Sequence, residues 1–201
     1  MSMASTRRRP PIPRDVSAAV RMLIQRLDRA EQLHASDVSF YALMIGESLE
    51  LPPNVMRQIA CGALLHDVGK VAIPVDHRDH SGALTALERL NMLTHPEVGE
   101  AMVGVHQPLE PFAELVRHHH ERYDGAGYPD GLAGGAIPLG AAVLAVSEAF
   151  ATMITEQPYQ RARSWHEAVA EVRRGSGSQF HPSVAGAFLV ALGEESLRSR
   201  H

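Results

Sequence analysis

The chain has 201 residues, 45% of them hydrophobic, which is enough for one domain with a substantial core. No apolar run approaches the roughly 18–20 residues needed to cross a bilayer. The single cysteine, Cys61, excludes an intrachain disulfide framework and suits a reducing cytoplasm. The formal net charge is −4; residues 1–14 hold four Arg and no acid, so residues 15–201 carry −8, which argues against binding to nucleic-acid polymers.

Residues 1–14 read as a basic, Pro-rich, disordered tail, with a membrane or partner contact as the lesser alternative. Arg7-Arg8-Arg9 is followed by Pro10-Pro11-Ile12-Pro13 rather than an apolar stretch, which speaks against a secretory leader. From Asp15, a candidate N-cap, Val16, Ala19, Val20, Leu23, Ile24 and Leu27 form a helical stripe. A second helix is predicted to start near His34–Ser36 and to bury Val38, Tyr41, Ala42, Ile45 and Leu49. Pro52-Pro53-Asn54 ends it and opens a third, running from Val55 towards His66. Leu84 to Leu93, Pro96 to Val105 and Pro111 to His120 read as three more. Residues 123–140 break the pattern with six glycines and two prolines, a loop of demanding backbone angles. Helices resume over Ala141 to Thr155, Ser164 to Arg174 and His181 to Leu192. No stretch alternates as a strand does, so the chain is expected to be all-α, a bundle of about seven to nine helices over residues 15–193 with a short tail at 194–201.

Two compositional facts point to chemistry. There are 12 histidines, and they cluster; of the 19 basic residues only Lys70 is Lys. Lys is a compact point charge that suits a tight site beside metal or phosphate, where the broad Arg fork does not. His66-Asp67 ends an apolar helix, His34 is placed at a helix start, His95 precedes Pro96, and His119-His120 close another helix. Glu148 lies in the apolar stretch Val143 to Met153, where a carboxylate is costly to bury unless paired or bound to metal. A bundle can bring such helix ends and inner faces together. Imidazole and carboxylate without thiolate suit Fe or Mn better than a structural zinc cage. A carboxylate such as Asp67 can bridge two cations about 3.5–4 Å apart, the spacing used for in-line attack at phosphorus.

His66-Asp67-Val68-Gly69-Lys70, then His95-Pro96, then His119-His120-Glu121-Arg122-Tyr123-Asp124-Gly125-Ala126-Gly127-Tyr128-Pro129, resembles the HD-GYP family over roughly residues 30–192. Members are bacterial phosphodiesterases that open cyclic di-GMP to linear pGpG or hydrolyse it to GMP. The resemblance implies a two-metal centre and a metal-bridging hydroxide as nucleophile. It assigns His34, His66, Asp67 and Glu148 to one cation, with Asp67 bridging to a second held by His95, His119 and His120. It also implies that Asp67 and Lys70 are catalytic, Lys70 facing the scissile phosphate, and that Gly125, Gly127, Tyr128 and Pro129 line the nucleotide pocket. His118, one helical step from His119, points about 100° away and reads as exposed or as supporting the ligands from behind. His77, His80, His106, His166, His181 and His201 hold no motif position.

Several positions depart from the family pattern. Glu148 stands where aspartate is usual. Ala30 occupies the position of a glutamate that supports a third metal in some members, and Glu31 is rotated about 100° from it, so two metals are expected. Gln157-Pro158-Tyr159-Gln160 replaces a basic Arg-Pro-Tyr segment, which weakens phosphate binding because charge-assisted bonds are about twice as strong as neutral ones; Arg161 and Arg163 are candidates to compensate, with Arg161 placed in the substrate site. His80-Ser81-Gly82 and Ala141-Ala142 likewise stand where cations are usual. Two other readings therefore stay open. One is a weakened receptor or interaction module docking a diguanylate cyclase-type partner; the other is hydrolysis of another nucleotide. No sensor or receiver segment is legible.

Overall fold

The computed structural model describes residues 11–73, 90–156 and 161–193. Most of the expected basic tail, most of the helix expected from Leu84, residues 157–160 with both glutamines, His77, His80 and the C-terminal tail lie outside the described residues. Within them the chain forms eight α-helices and no strand. The helices are α1 (Arg14–Ile24), α2 (Arg29–Ser48), α3 (Pro53–Leu65), α4 (His95–Gly104), α5 (Ala113–His118), α6 (Leu139–Ile154), α7 (Trp165–Gly175) and α8 (Pro182–Ala191). No described helix is long and apolar enough to cross a membrane.

Two apolar cores meet along α3 and α5. The larger packs α2, α6, α7 and α8 around Phe150 and Phe188, and takes Ile59 and Ala63 from α3 and Leu115 from α5. The smaller packs α1, α4 and the short turns around Leu23, Leu109 and Phe112, and takes Cys61 and Leu65 from α3 and Val116 from α5. Each of these two helices is therefore buried on opposite flanks, which fixes its axis and its end. Both ends carry histidines.

Three boundaries differ from the sequence reading. Helix α2 begins at Arg29, earlier than His34–Ser36, because Asp28 and Glu31 form a complete capping box in which each side chain accepts the other's backbone N–H. His34 is thus in the second turn of α2, not at its start. Asp15 sits in the first turn of α1 behind Pro13, where an acid suits the helix dipole, instead of capping it. The helix expected from Pro111 is a 3-10 turn, Gln107–Phe112, followed by the short α5, since Pro111 supplies no N–H to an α-helical ladder. By contrast Ser164 does cap α7, in a second capping box with Glu167.

After α3 the 3-10 turn Val68–Ala72 lies directly on α4. Gly69 makes that approach possible. A Cβ there would stand 2.0 Å from the His95 carbonyl oxygen and 2.6 Å from the Gly99 nitrogen, both backbone atoms. Absence of a side chain at position 69 thereby sets the separation of Asp67 from His95. Gly69→Ala is expected to cost about 1–3 kcal/mol by overpacking, a fall in melting temperature of roughly 2–12 °C. Gly104→Ala, where an added Cβ meets nothing within 4 Å, should leave the melting temperature within about 2 °C or raise it. Scanning calorimetry of the two variants checks the contrast.

Candidate metal centre

One local device orients three histidines. His66, the residue after α3, places Nδ1 2.7 Å from the Ala63 carbonyl oxygen. His119, after α5, does the same with Val116 at 2.6 Å, and His95 with Met92 at 2.6 Å. The last carbonyls of a helix have no partner within it, so an imidazole three residues on satisfies one. A carbonyl only accepts, so each Nδ1 carries the proton and each Nε2 is turned inward.

The inward nitrogens then face each other. His95 Nε2 and His119 Nε2 are 3.2 Å apart. With both protons held at Nδ1, neither can donate across that gap, and two lone pairs this close call for a cation between or beside them. Burial, and then the neighbouring imidazoles or lysine, keep this group neutral. His119 is held well below the ordinary histidine value, with burial the main cause. Burial brings His95 down to about 4 against the pull of Asp67, and His120 likewise to about 4. These rings are ready to ligate without losing a proton.

Asp67 is the charged counterpart. Its carboxylate is buried, which raises its proton affinity, yet His66 and Lys70 overcome this and hold it well below the usual carboxylate range. Oδ2 accepts from Lys70 Nζ at 2.6 Å and lies 3.2 Å from His66 Nε2. Oδ1 lies 3.3 Å from His95 Nε2 and has no hydrogen-bond donor, as does the buried His34 Nδ1. Orphaned buried polar atoms of this kind are costly without a ligand. Burial opposes charging His66, but the carboxylate beside it prevails and lifts its pKa to about 9. In Glu148 burial raises the pKa, with His66 opposing and Asp67 adding to the rise.

All seven residues expected as ligands come together. Ligand atoms of His34, His66 and Glu148 lie within 4.8 Å of one another, as do those of His95, His119 and His120, and those of Asp67, His119 and Glu148. Among the described residues these donors, all imidazole or carboxylate, fit divalent cations. Tyr128 stacks on His120, ring centres 4.7 Å apart and planes 25° from parallel. Gly127 lets its loop lie on the 120–122 backbone, since a Cβ would stand 2.4 Å from Arg122 N. Gly125 adopts φ 78°, which a residue with a side chain resists, and Pro129 follows a cis peptide bond.

Other residues fall differently. Arg161 is exposed, and Arg163, a candidate to compensate for lost cations, is committed to Glu171 at 2.9 Å. His118 is buried rather than exposed, and its Nδ1 points towards Asp130 and Glu121, at 3.5 and 3.8 Å. Glu31 caps α2 and still lies within electrostatic reach of Lys70 and Asp67. His181 caps α8, its Nδ1 accepting from Ser183 N. The residue missed by sequence reasoning is Glu121. Its buried carboxylate accepts the N–H groups of Asp130 at 2.8 Å and Leu132 at 3.0 Å, and so latches the Gly-rich loop beside His120. Spacing alone gives no sign of a carboxylate bonded to backbone nine and eleven residues on.

A helical bundle whose helix ends and inner faces bring six imidazole and carboxylate side chains around one buried aspartate is a metal-binding scaffold. The HD-domain family model matches residues 16–184, and with the motifs above the chain belongs to that metal-dependent family, in its HD-GYP branch. It is 34% identical over 178 residues to the cyclic di-GMP phosphodiesterase response regulator RpfG of Xanthomonas campestris pv. campestris, covering 88% of this chain and 47% of that protein. A cyclic di-GMP phosphodiesterase of Thermotoga maritima is 32% identical over 177 residues, 87% of this chain and 48% of the relative. The chain thus spans about half the length of the curated relatives it matches. Among solved structures it resembles Bd1817, an HDG"Y"P protein from Bdellovibrio bacteriovorus, with a TM-score of 0.68 at 17% identity, over 89% of this chain and 62% of that one.

The protonation pattern generates a pH prediction. Metal-free His66 holds a proton below about pH 9, and a cation taken up at its Nε2 must displace it. Uptake of Mn(II) at pH 7 is therefore expected to release about one proton, and apparent affinity to rise about tenfold per pH unit until it levels off near pH 9. Titration calorimetry in two buffers of different ionisation enthalpy measures the release. Uptake without proton release would show that His66 Nε2 is not a ligand.

Proposed function

We propose that the chain is a phosphodiesterase for cyclic di-GMP, opening it to linear pGpG, to GMP, or to both, with a pair of divalent cations, Fe or Mn, as cofactor. The carrying observation is Asp67, whose two oxygens face different histidines, Oδ1 towards His95 and Oδ2 towards His66. On this reading Asp67 would help to hold both cations, with His34, His66 and Glu148 completing one ligand set and His95, His119 and His120 the other. When bound, the cations would lower the pKa of a water and neutralise phosphate charge.

The chain's own residues do the rest. Three Nδ1–H bonds to carbonyls keep the ligating nitrogens aimed without reorganisation. Lys70, held by Asp67, is a fixed positive charge at the mouth of the site, and stabilises charge that develops on the non-bridging phosphate oxygens. Tyr128, stacked on His120, offers an aromatic face to the nucleotide and shields that flank from water. A cyclic dinucleotide messenger as substrate implies action in the cytoplasm.

One observation favours a second reading, a weakened receptor that docks a diguanylate cyclase-type partner through its loop. Cations near the loop are already engaged, Arg117 with Asp130 and Glu100 and Arg122 with Asp124, and Arg163 after α6 is engaged with Glu171. Such groups hold substrate phosphate less well than free ones. Hydrolysis of another nucleotide is the remaining alternative, settled by comparing rates on a small panel.

Metal analysis followed by turnover on the same sample tests the proposal. Mn- or Fe-loaded protein is expected to hydrolyse cyclic di-GMP, and Mg alone to support little. Asp67→Ala should abolish turnover, and Lys70→Ala should lower kcat by about 10²–10³-fold with metal content retained. Lys70→Arg should not restore it, since a planar fork does not fit the place of an ammonium. Full activity in Asp67→Ala would overturn the scheme; binding without turnover in fully loaded protein would favour the receptor.

A further inference from the structure

Beside the His120–Glu148 pair, between α6 and the turn that leads into α8, lies a cavity of about 230 Å³. Ala145 and Ala149, one turn apart on α6, line it together with Thr152, Gln179, His120 and Glu148. Two methyl groups make a flat apolar surface with no branch to obstruct a planar ring. Neither the Thr152 hydroxyl nor the Gln179 amide has a hydrogen-bond partner among the described residues. Both are half-buried, so two uncommitted polar side chains border this space.

Gln179 is nevertheless not a loose surface residue. Its carbonyl accepts the Tyr123 N–H at 3.1 Å, and the adjacent Ser178 carbonyl accepts the Asp124 N–H at 2.8 Å. Next to it Phe180 is fully buried, with its ring filling the space beside Gly175, where a Cβ would stand 2.7 Å from it. The backbone under the amide is therefore fixed on both sides and tied to the start of the Gly-rich loop. A site with apolar walls and a few pre-positioned polar groups is the ordinary form of a small-molecule pocket. At 230 Å³ it is smaller than the roughly 300–1,000 Å³ that takes a whole drug-sized ligand, which matches one ring system of a larger molecule.

We propose that this cavity is a nucleobase subsite: a purine of the substrate lies on Ala145 and Ala149, and the Gln179 amide, seconded by Thr152, bonds its polar edge. An amide presents one donor and one acceptor side by side and pairs bidentately with a purine edge. The subsite rests on the phosphodiesterase reading above, which supplies the nucleotide, and it makes Gln179 and Thr152 specificity-determining residues rather than catalytic ones.

The test uses Gln179→Leu and Thr152→Val, near-isosteric changes that remove the polar groups, in Mn-loaded protein. For cyclic di-GMP each is expected to raise KM by about 3- to 10-fold, the worth of a lost hydrogen bond, with kcat within about twofold. Bis(4-nitrophenyl) phosphate, a phosphodiester without a base, serves as reference; the ratio of kcat/KM on cyclic di-GMP to that on the reference should fall by the same factor. Cyclic di-AMP in parallel tells guanine from adenine: a larger KM effect on one purine identifies the edge being read, and equal effects assign a general purine subsite. Unchanged KM for both dinucleotides, or an equal loss on the base-free reference, would overturn the subsite. If the wild-type protein hydrolyses neither phosphodiester, the phosphodiesterase reading fails separately. The subsite is then judged by calorimetric binding of cyclic di-GMP: weaker binding to Gln179→Leu than to wild type supports it, and equal or absent binding overturns it.

Discussion

The structure depends on one buried anion. Asp67 has no water to solvate it, and its two oxygens look in different directions, each towards an imidazole that the backbone has already turned to meet it. Charge in a low-dielectric interior persists only where compensation is fixed in advance. Here the compensation comes from Lys70 three residues on and from His66 next to it in sequence, both at Oδ2, while Oδ1 faces the unprotonated Nε2 of His95 on the separate helix α4 and has no donor. The glycine at position 69 makes that second approach possible, because it lets the α4 backbone come close enough.

Function follows from how helix ends are held. Each of α3 and α5 serves two cores at once, so neither can rotate to relieve strain at its terminus. Their C-terminal carbonyls need donors in any case, and imidazoles that satisfy them acquire a defined tautomer at no additional structural cost. A need of the backbone thus becomes the orientation of a ligand. Electrostatics divides the same cluster into a neutral half, His95, His119 and His120, and an ionised half around Asp67, His66 and Lys70.

Much of this was legible beforehand. The 3.6-residue stripes of α1 and α2 and the Pro-opened α3 could be read because one face of each helix meets a core, and the convergence of seven histidine and carboxylate side chains could be read because their spacing repeats a family pattern. Boundaries were less legible where two signals competed. The capping box opens at Asp28, six residues before the polar cluster at His34–Ser36 that marks a helix start by composition, and Pro111 turns an apparent helix into a 3-10 turn. Least legible were side chains whose partners are groups distant in the sequence. Glu121 bonding to Asp130 and Leu132, and His118 buried against Asp130, depend on how a loop folds back, which no periodicity records. The same holds for Arg163: its charge was visible, but its commitment to Glu171 was not.

The Glu121 latch has a mechanical consequence. The residue that grips the Gly-rich loop is the next one along the chain from His120, so ligand and latch share a single peptide unit. Displacing the loop pulls on that peptide and tilts the imidazole; re-aiming the imidazole tugs the loop through the same bond. The position of the loop and the aim of the imidazole are therefore coupled through one peptide, and the loop is tied to His120 as a lever is to its short arm.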